Sequence, residues 1–114
     1  MAYGTRATFE PLREVASGSI TGSYTALGSA IIDHARIVRI VNATNDQAYL
    51  SLDGSTDHIR MAANSFYLLD FSTNKVRDDG LFLPVGTTFY VKHTGSAPTS
   101  GNLWIEICYA AGGV

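Results

Sequence analysis

The chain has 114 residues, a formal net charge of −2 and a single cysteine, Cys108. This length fits one domain with its own buried core. The lone cysteine excludes an internal disulfide and fits a reducing cytoplasm. The apolar runs are too short for a helix that spans a membrane. Charged residues make up only 16% of the chain, against about 25% in typical domains. Much of the surface must therefore be uncharged, which favours a subunit that is partly covered by neighbours.

The N-terminal segment predicts an arm followed by an interrupted strand. Residues 1–8 are small and polar around Tyr3 and Arg6, carry no apolar segment of the signal-peptide kind, and are expected to form a flexible arm. From residue 8 to residue 15 the sequence then alternates as a strand does. Pro11 has no N–H to donate, so this strand is expected at a sheet edge or with a bulge.

The middle of the chain predicts short antiparallel strands joined by turns. Residues 35–42 are rich in β-branched side chains and favour a central strand over a helix. Residues 48–52 and 58–61 flank a polar turn centred on Gly54, which is typical of a β-hairpin. Further strands are predicted at residues 24–27, 65–71, 81–83, 87–93 and 103–110.

This regular spacing of eight or nine strands, without an internal repeat, predicts the fold class. We expect an all-β protein in which residues 1–114 form a single domain, a two-sheet antiparallel β-sandwich of jelly-roll type with about eight strands.

One cluster in the hairpin has partial metal-site character. Asp53, Ser55 and Asp57 supply oxygen atoms at alternate positions, as a calcium loop does. Gly54 is at a different position from the glycine of such a loop, however, and no Glu follows as the last, bidentate ligand. The pattern favours a turn in which Asp and Ser side chains bind backbone N–H groups.

The chain offers no recognisable catalytic set. His34, His58 and His93 do not fall at metal-ligand spacing, and no Gly-x-Ser-x-Gly elbow or nucleophile–base arrangement is present. The eight basic residues are scattered without an adjacent pair, which argues against a nucleic-acid groove. We therefore expect a protein that is not an enzyme, with no catalytic residue, no cofactor, no bound metal, no nucleic-acid partner and no membrane partner.

The last strand predicts two different faces. One face, with Leu103, Ile105 and Ile107, has the character of a core. The other carries Trp104 next to Glu106, so it meets water or a partner. Trp104 is a candidate interface anchor because Trp is enriched at interaction hot spots; the alternative is a Trp covered by a loop of its own chain.

Between residues 26 and 98 the order of motifs resembles small virion proteins of tailed bacteriophages. The matching pieces are Thr25-Ala26-Leu27-Gly28, the segment from His34 to Thr44, Asp53-Gly54-Ser55-Thr56-Asp57-His58, Ala63-Asn64-Ser65-Phe66, and the segment from Gly86 to Lys92. The chain is similar to jelly-roll decoration (cement) proteins on capsids of short-tailed phages. The resemblance implies a structural role on the capsid surface after synthesis in the host cytoplasm, with the major capsid protein and further copies of itself as partners, a dimer being favoured over a trimer.

Two functional hypotheses follow. The first is a capsid decoration subunit whose N-terminal arm reaches a neighbouring subunit, with Tyr3 and Phe9 as apolar anchors and Arg6 paired to a carboxylate or carbonyl. The second is a tail, neck or fibre β-sandwich that binds carbohydrate or a receptor through exposed aromatic residues such as Tyr49, Tyr90 and Trp104.

Overall fold

The computed structural model describes residues 6–70 and 83–111, which form two antiparallel sheets. The strands are β1 (Arg6–Phe9), β2 (Arg13–Ala16), β3 (Thr25–Ala26), β4 (Ala35–Asn42), β5 (Ala48–Ser51), β6 (Ile59–Met61), β7 (Ser65–Asp70), β8 (Tyr90–Lys92) and β9 (Asn102–Ala111), with a 3₁₀ turn at Ser17–Ser19. The five-stranded sheet has the order β1-β9-β4-β7, with β2 also paired to β9, and the four-stranded sheet has the order β3-β8-β5-β6. The predicted all-β, two-sheet antiparallel architecture is confirmed, while the jelly-roll type stays a prediction.

One hydrophobic core lies between the two sheets. Alternate residues of β4 and β9 face it from the five-stranded sheet, and residues of β5, β6 and β8 face it from the other. Its fully buried members include Val38, Ile40, Leu103, Ile105, Leu50, Val91 and Phe89, each 0% exposed. Burying one such side chain contributes about 1.5–3 kcal/mol. The period-2 burial explains why a sequence of short alternating strands folds as a sandwich.

The predicted strands agree with the structure where they are rich in β-branched residues or flank a clear turn. The predicted strand at residues 35–42 is β4, which lies between β9 and β7. The predicted hairpin is the antiparallel pair β5 and β6. The strand expected at residues 87–93 is shorter, because only Tyr90–Lys92 pairs regularly. Of residues 81–83 only Leu83 is described, and it forms a single bridge with Ala35.

The interrupted N-terminal strand is present, but the boundary predicted for the arm is wrong. β1 and β2 both pair with β9, and the residues around Pro11 separate them. Arg6, Ala7 and Thr8 lie within β1, opposite residues 109–111 of β9, instead of in a flexible arm. Their backbone groups are paired with the last strand, so an arm can include only residues 1–5. That segment, with Tyr3, lies outside the described residues, and its role as an arm stays a prediction.

A buried ion pair holds the break between β1 and β2. Arg13 Nη2 lies 2.8 Å from Glu10 Oε1, and the two side chains are 7% and 1% exposed. The other carboxylate oxygen, Glu10 Oε2, accepts hydrogen bonds from the backbone N–H groups of Ile32 (3.0 Å) and Asp33 (2.8 Å). Each oxygen of the carboxylate therefore has a donor, as a buried charge requires.

The guanidinium group of Arg13 is also satisfied by backbone carbonyls. Its Nε donates to Ser29 O (2.9 Å) and its Nη2 to Ala30 O (3.1 Å). Gly28 beside it has a φ of 76°, and an added Cβ would lie 2.8 Å from Arg13 Cγ. Only glycine combines this backbone conformation with the close approach of Arg13. The pair thus fixes the loop that leads into β4.

A second buried polar network fixes the end of β4. Asn42 and Thr44 are both 0% exposed. Asn42 Nδ2 donates to the carbonyls of Asp46 (3.0 Å) and Ala62 (3.1 Å), and Asn42 Oδ1 accepts from Thr44 N (3.1 Å). These bonds satisfy the buried amide and hold the connection from β4 to β5 against the turn before β7.

We predict that Arg13→Ala lowers the free energy of unfolding by about 3–5 kcal/mol, because it leaves the Glu10 carboxylate buried without its cation. Urea denaturation followed by circular dichroism measures the loss. Glu14→Ala is the matched control on the same strand, since Glu14 is exposed and accepts one hydrogen bond from Asn102 Nδ2 (2.7 Å); it should cost about 1 kcal/mol or less. Equal losses for the two variants would contradict the structural role of the ion pair.

Candidate interaction surface

The five-stranded sheet turns one face away from the core, and this face carries mostly apolar side chains. The register places them in rows across the strands: Trp104 is opposite Val41, which is opposite Phe66. We call this surface the apolar outer face. It consists of Phe9 on β1, Ile37, Arg39 and Val41 on β4, Phe66 and Leu68 on β7, and Trp104, Glu106 and Cys108 on β9. Glu14 on β2 and Asp70 on β7 flank it on the same side of the sheet.

Three large apolar side chains of this face are well exposed: Phe9 (68%), Phe66 (65%) and Leu68 (51%). Between them Trp104, Val41 and Ile37 are half-buried. Single exposed apolar residues are ordinary on a protein surface, but a contiguous group on one sheet face is typical of an interaction site. The geometry therefore favours a face that binds a protein partner.

An ion pair lies in the middle of the apolar outer face. Arg39 Nε lies 2.7 Å from Glu106 Oε1, and the two side chains are 48% and 36% exposed. The second carboxylate oxygen, Glu106 Oε2, accepts a hydrogen bond from Trp104 Nε1 (3.3 Å). Glu106 thereby orients both the guanidinium group and the indole ring. The pair contributes little while solvent covers it, and a partner that excluded water would strengthen it.

The structure brings two of the four predicted interaction residues onto one surface. Phe9, opposite Cys108, and Trp104, four positions earlier on β9, share the apolar outer face. Arg6 lies in β1, and its side chain is outside the described part, as is all of Tyr3. The sequence interpretation did not single out Phe66 and Leu68. A signal was available, since four consecutive apolar residues at 66–69 place apolar side chains on both faces of one strand.

The outer face of the four-stranded sheet is polar by contrast. Tyr49 is opposite Lys92 on β8 and Arg60 on β6. Lys92 Nζ lies 3.3 Å from Asp57 Oδ1 and 4.6 Å from the centre of the Tyr24 ring. Burial, followed by the hydrogen bond that Tyr24 donates to Asp57 (2.6 Å), raises the pKa of the Tyr24 phenol. This face presents a hydrogen-bonded, charged surface.

The three aromatic residues proposed for sugar stacking do not form one platform. Tyr49 and Tyr90 lie on the outer face of the four-stranded sheet, whereas Trp104 lies on the outer face of the other sheet. All three side chains are half-buried instead of exposed. The ring of Tyr90 also packs against the turn, because a Cβ added at Gly54 would lie 3.3 Å from it.

The hairpin turn is a hydrogen-bonded turn, as the sequence predicts. Asp53 Oδ1 accepts from the backbone N–H groups of Ser55 and Thr56, both at 2.8 Å, and from Ser51 Oγ at 2.8 Å. These donors, the backbone N–H of Thr56 first, hold the pKa of Asp53 well below its usual range. These bonds all lie within the turn, so the Asp53 carboxylate stabilises the turn.

Two of the three histidines bind backbone groups in separate segments of the chain, and the buried Nδ1 of His93 has no hydrogen-bond partner among the described residues. His34 Nδ1 accepts from the backbone N–H of Val85 (3.2 Å), and His58 Nδ1 accepts from that of Leu52 (3.0 Å). The described residues contain no group of three or more His, Cys, Asp or Glu side chains placed to hold a metal ion.

Comparison of the chain with protein-family models, with curated proteins and with solved structures found no match. Within residues 6–70 and 83–111, no helix is long and apolar enough to cross a membrane.

We predict that the Asp53 carboxyl titrates below the ordinary Asp pKa of 3.8. Because its pKa is lowered on folding, its contribution to stability is present above pH 3.8 and is lost as the pH falls through the lower folded value. A ¹³C NMR titration of the Asp53 carboxyl carbon between about pH 5 and about pH 1 measures the midpoint.

Ser51→Ala is the matched variant, because it removes the hydroxyl donor to Asp53 and keeps the Ser55 and Thr56 backbone donors. It also removes the bonds that Ser51 Oγ accepts from the backbone N–H groups of Asp53 and Gly54. Its midpoint should move upward, towards the ordinary value. A wild-type midpoint at or above 3.8 would show that the turn does not hold the carboxylate as described.

Proposed function

We propose that this chain is a non-enzymatic structural subunit of a tailed-phage virion, which binds the outside of the capsid shell and stabilises it. Its partners would be the major capsid protein and further copies of itself, with no role for nucleic acid or a membrane. The observation that carries the proposal is the apolar outer face, with Phe9, Phe66 and Leu68 exposed around the Trp104–Glu106–Arg39 group.

A decoration subunit must hold to an assembled shell through surface contacts alone. Interfaces of this kind bury about 800 Å² per partner and draw most of their binding energy from a few aromatic and Arg side chains near the centre. The apolar outer face offers such a centre, because Trp104 and Arg39 are already oriented by Glu106. Little side-chain entropy would then be lost when a partner covers them.

The strand order supports the jelly-roll part of the proposal. If β1 and β2 are counted as one strand interrupted at Pro11, residues 6–70 and 83–111 form eight strands, and the two sheets have the orders 1-8-3-6 and 2-7-4-5. Consecutive strands then alternate between the sheets except at the β5–β6 hairpin. Such wrapping is expected of an eight-stranded jelly roll, a fold used by viral capsid domains.

The second candidate is a tail, neck or fibre sandwich that binds carbohydrate or a receptor. The hydrogen-bonded outer face of the four-stranded sheet, with Tyr24, Tyr49 and Tyr90, is the surface that such a ligand would use. Binding on a glycan array that is lost in Tyr49→Ala would favour this candidate. A blank array together with tight shell binding would remove it.

Electron cryo-microscopy of the source particle tests where the chain lies. We expect hundreds of copies over the shell, with the apolar outer face against the major capsid protein. A few copies confined to the tail or neck would overturn the proposal of capsid decoration.

Binding to shells assembled without this chain tests the surface itself. We expect Trp104→Ala to weaken binding at least tenfold, because an aromatic anchor at the centre of an interface contributes about 2 kcal/mol or more. Phe9→Ser, on an outermost strand of this face, should weaken binding by a smaller factor. Tyr49→Ala, on the opposite outer face, is the control and should bind as the wild type does. Co-sedimentation with shells measures binding, and a cooperative thermal melt confirms that each variant is folded. Equal binding by all three variants would show that another surface carries the contact.

A further inference from the structure

The strand β7 ends the five-stranded sheet with one side unpaired among the described strands. It pairs with β4 over residues 65–70 in a continuous register, and no other described strand pairs with it. Its side chains Phe66, Tyr67 and Leu68 are 65%, 41% and 51% exposed.

Such an edge usually carries protection against pairing with another chain. Lysine, proline, a bulge or a very short strand are the common devices. β7 is six residues long, contains neither Lys nor Pro, has no shift in its register with β4, and carries its single charge, Asp70, at its last position. The described strands therefore leave this edge open for a further strand.

We infer that β7 pairs antiparallel with the β7 of a second copy, about a two-fold axis that joins the two five-stranded sheets into one. An isologous contact of this kind brings the same strand together with itself and closes after two copies. The inference goes beyond the proposed function and does not depend on it, since it concerns the free protein.

Symmetry and side-chain direction restrict the register of this pairing. Residues directly opposite in an antiparallel pair share a face of the sheet. Centring the axis on Tyr67 places Tyr67 against Tyr67 of the second copy and Phe66 against Leu68 of the second copy. Asp70 then lies opposite Asn64, which belongs to the turn before the strand, so the paired ladder covers residues 65–69. Every apolar residue of the edge finds an apolar partner except Leu69, which meets Ser65.

Other registers of the β7 pair bring less favourable side chains together. An axis on Leu68 places the Asp70 carboxylate directly opposite the apolar ring of Phe66, a poorer cross-strand pair than Phe66 against Leu68. A slide that brings the two Asp70 side chains together sets like charges opposite one another. An axis on Phe66 places Leu68 against Asn64, whose φ of 54° belongs to the turn before the strand. Self-complementarity therefore selects the register centred on Tyr67.

This pairing also joins the apolar outer faces of the two copies. A two-fold axis perpendicular to the sheet leaves both outer faces on the same side. The row Trp104–Val41–Phe66 then continues into Leu68 and Arg39 of the second copy. Two apolar outer faces become one surface of twice the width.

Mass in solution is the first test. Sedimentation equilibrium of the full chain should give a mass of about twice 12.2 kDa. Tyr67→Glu and Tyr67→Lys should each give the monomer mass, because two like charges face one another across the axis. An equimolar mixture of these two variants should restore the dimer. Tyr49→Glu, on the other sheet, is the control and should stay dimeric. A monomeric wild-type chain would overturn the inference.

Disulfide cross-linking in a Cys108→Ser background tests the register with milder changes. Tyr67→Cys should cross-link alone on oxidation, because the two positions face one another. Phe66→Cys and Leu68→Cys should cross-link only when mixed, since each lies diagonally from its own copy, about 7–8 Å away. Cross-linking at position 66 or 68 alone, without cross-linking at 67, would overturn this register. A dimer that fails to bind shells would overturn only the proposed function, whereas a monomer that binds them would overturn only this inference.

Discussion

The Glu10–Arg13 ion pair is the interaction on which the arrangement of the five-stranded sheet depends. Pro11 interrupts the ladder to β9, and the chain on either side must still return to the same strand. Both members of the pair lie at this break, and their remaining hydrogen bonds go to the loop before β4. A buried ion pair adds little net stability over a well-packed apolar alternative. Here it determines where the interrupted strand resumes and where the segment at Gly28–Asp33 lies.

The sequence predicted those parts of the fold in which the decisive information is local. Alternation of β-branched residues identified β4, and a glycine-centred polar turn identified the β5–β6 hairpin. The end of the arm was wrong because β1 is held by pairing with residues at the far end of the chain, which no local pattern records. The ion pair was not predicted either, because a Glu and an Arg three residues apart ordinarily face solvent. Only the backbone donors and acceptors of the distant loop make their burial possible.

The candidate surface also has one part that local sequence predicts and one part that depends on the order of strands. Trp104 stood out because Glu106 marks its face of β9 as solvent- or partner-facing, and that inference uses only the two-residue period of a strand. Phe66 and Leu68 did not stand out, because a continuous apolar run resembles a strand buried on both faces. Their exposure follows from the order of strands, which leaves β7 at an edge beyond β4. Edge position is a property of topology, so composition and periodicity could not supply it.

The low charge content of the chain is unevenly distributed between the outer faces of the two sheets. The four-stranded sheet uses Lys92, Arg60 and the Asp57–Tyr24 pair to keep a hydrated surface. The other outer face holds the Arg39–Glu106 pair near its centre, where the two charges neutralise one another, and its other charged residues, Glu14 and Asp70, lie on the flanking strands β2 and β7. A surface that is apolar around an internally compensated ion pair loses little by desolvation and provides a few well-oriented donors for specificity. The two outer faces therefore differ in the way that the proposed function needs, with a hydrated surface on one side and a surface suited to a partner on the other.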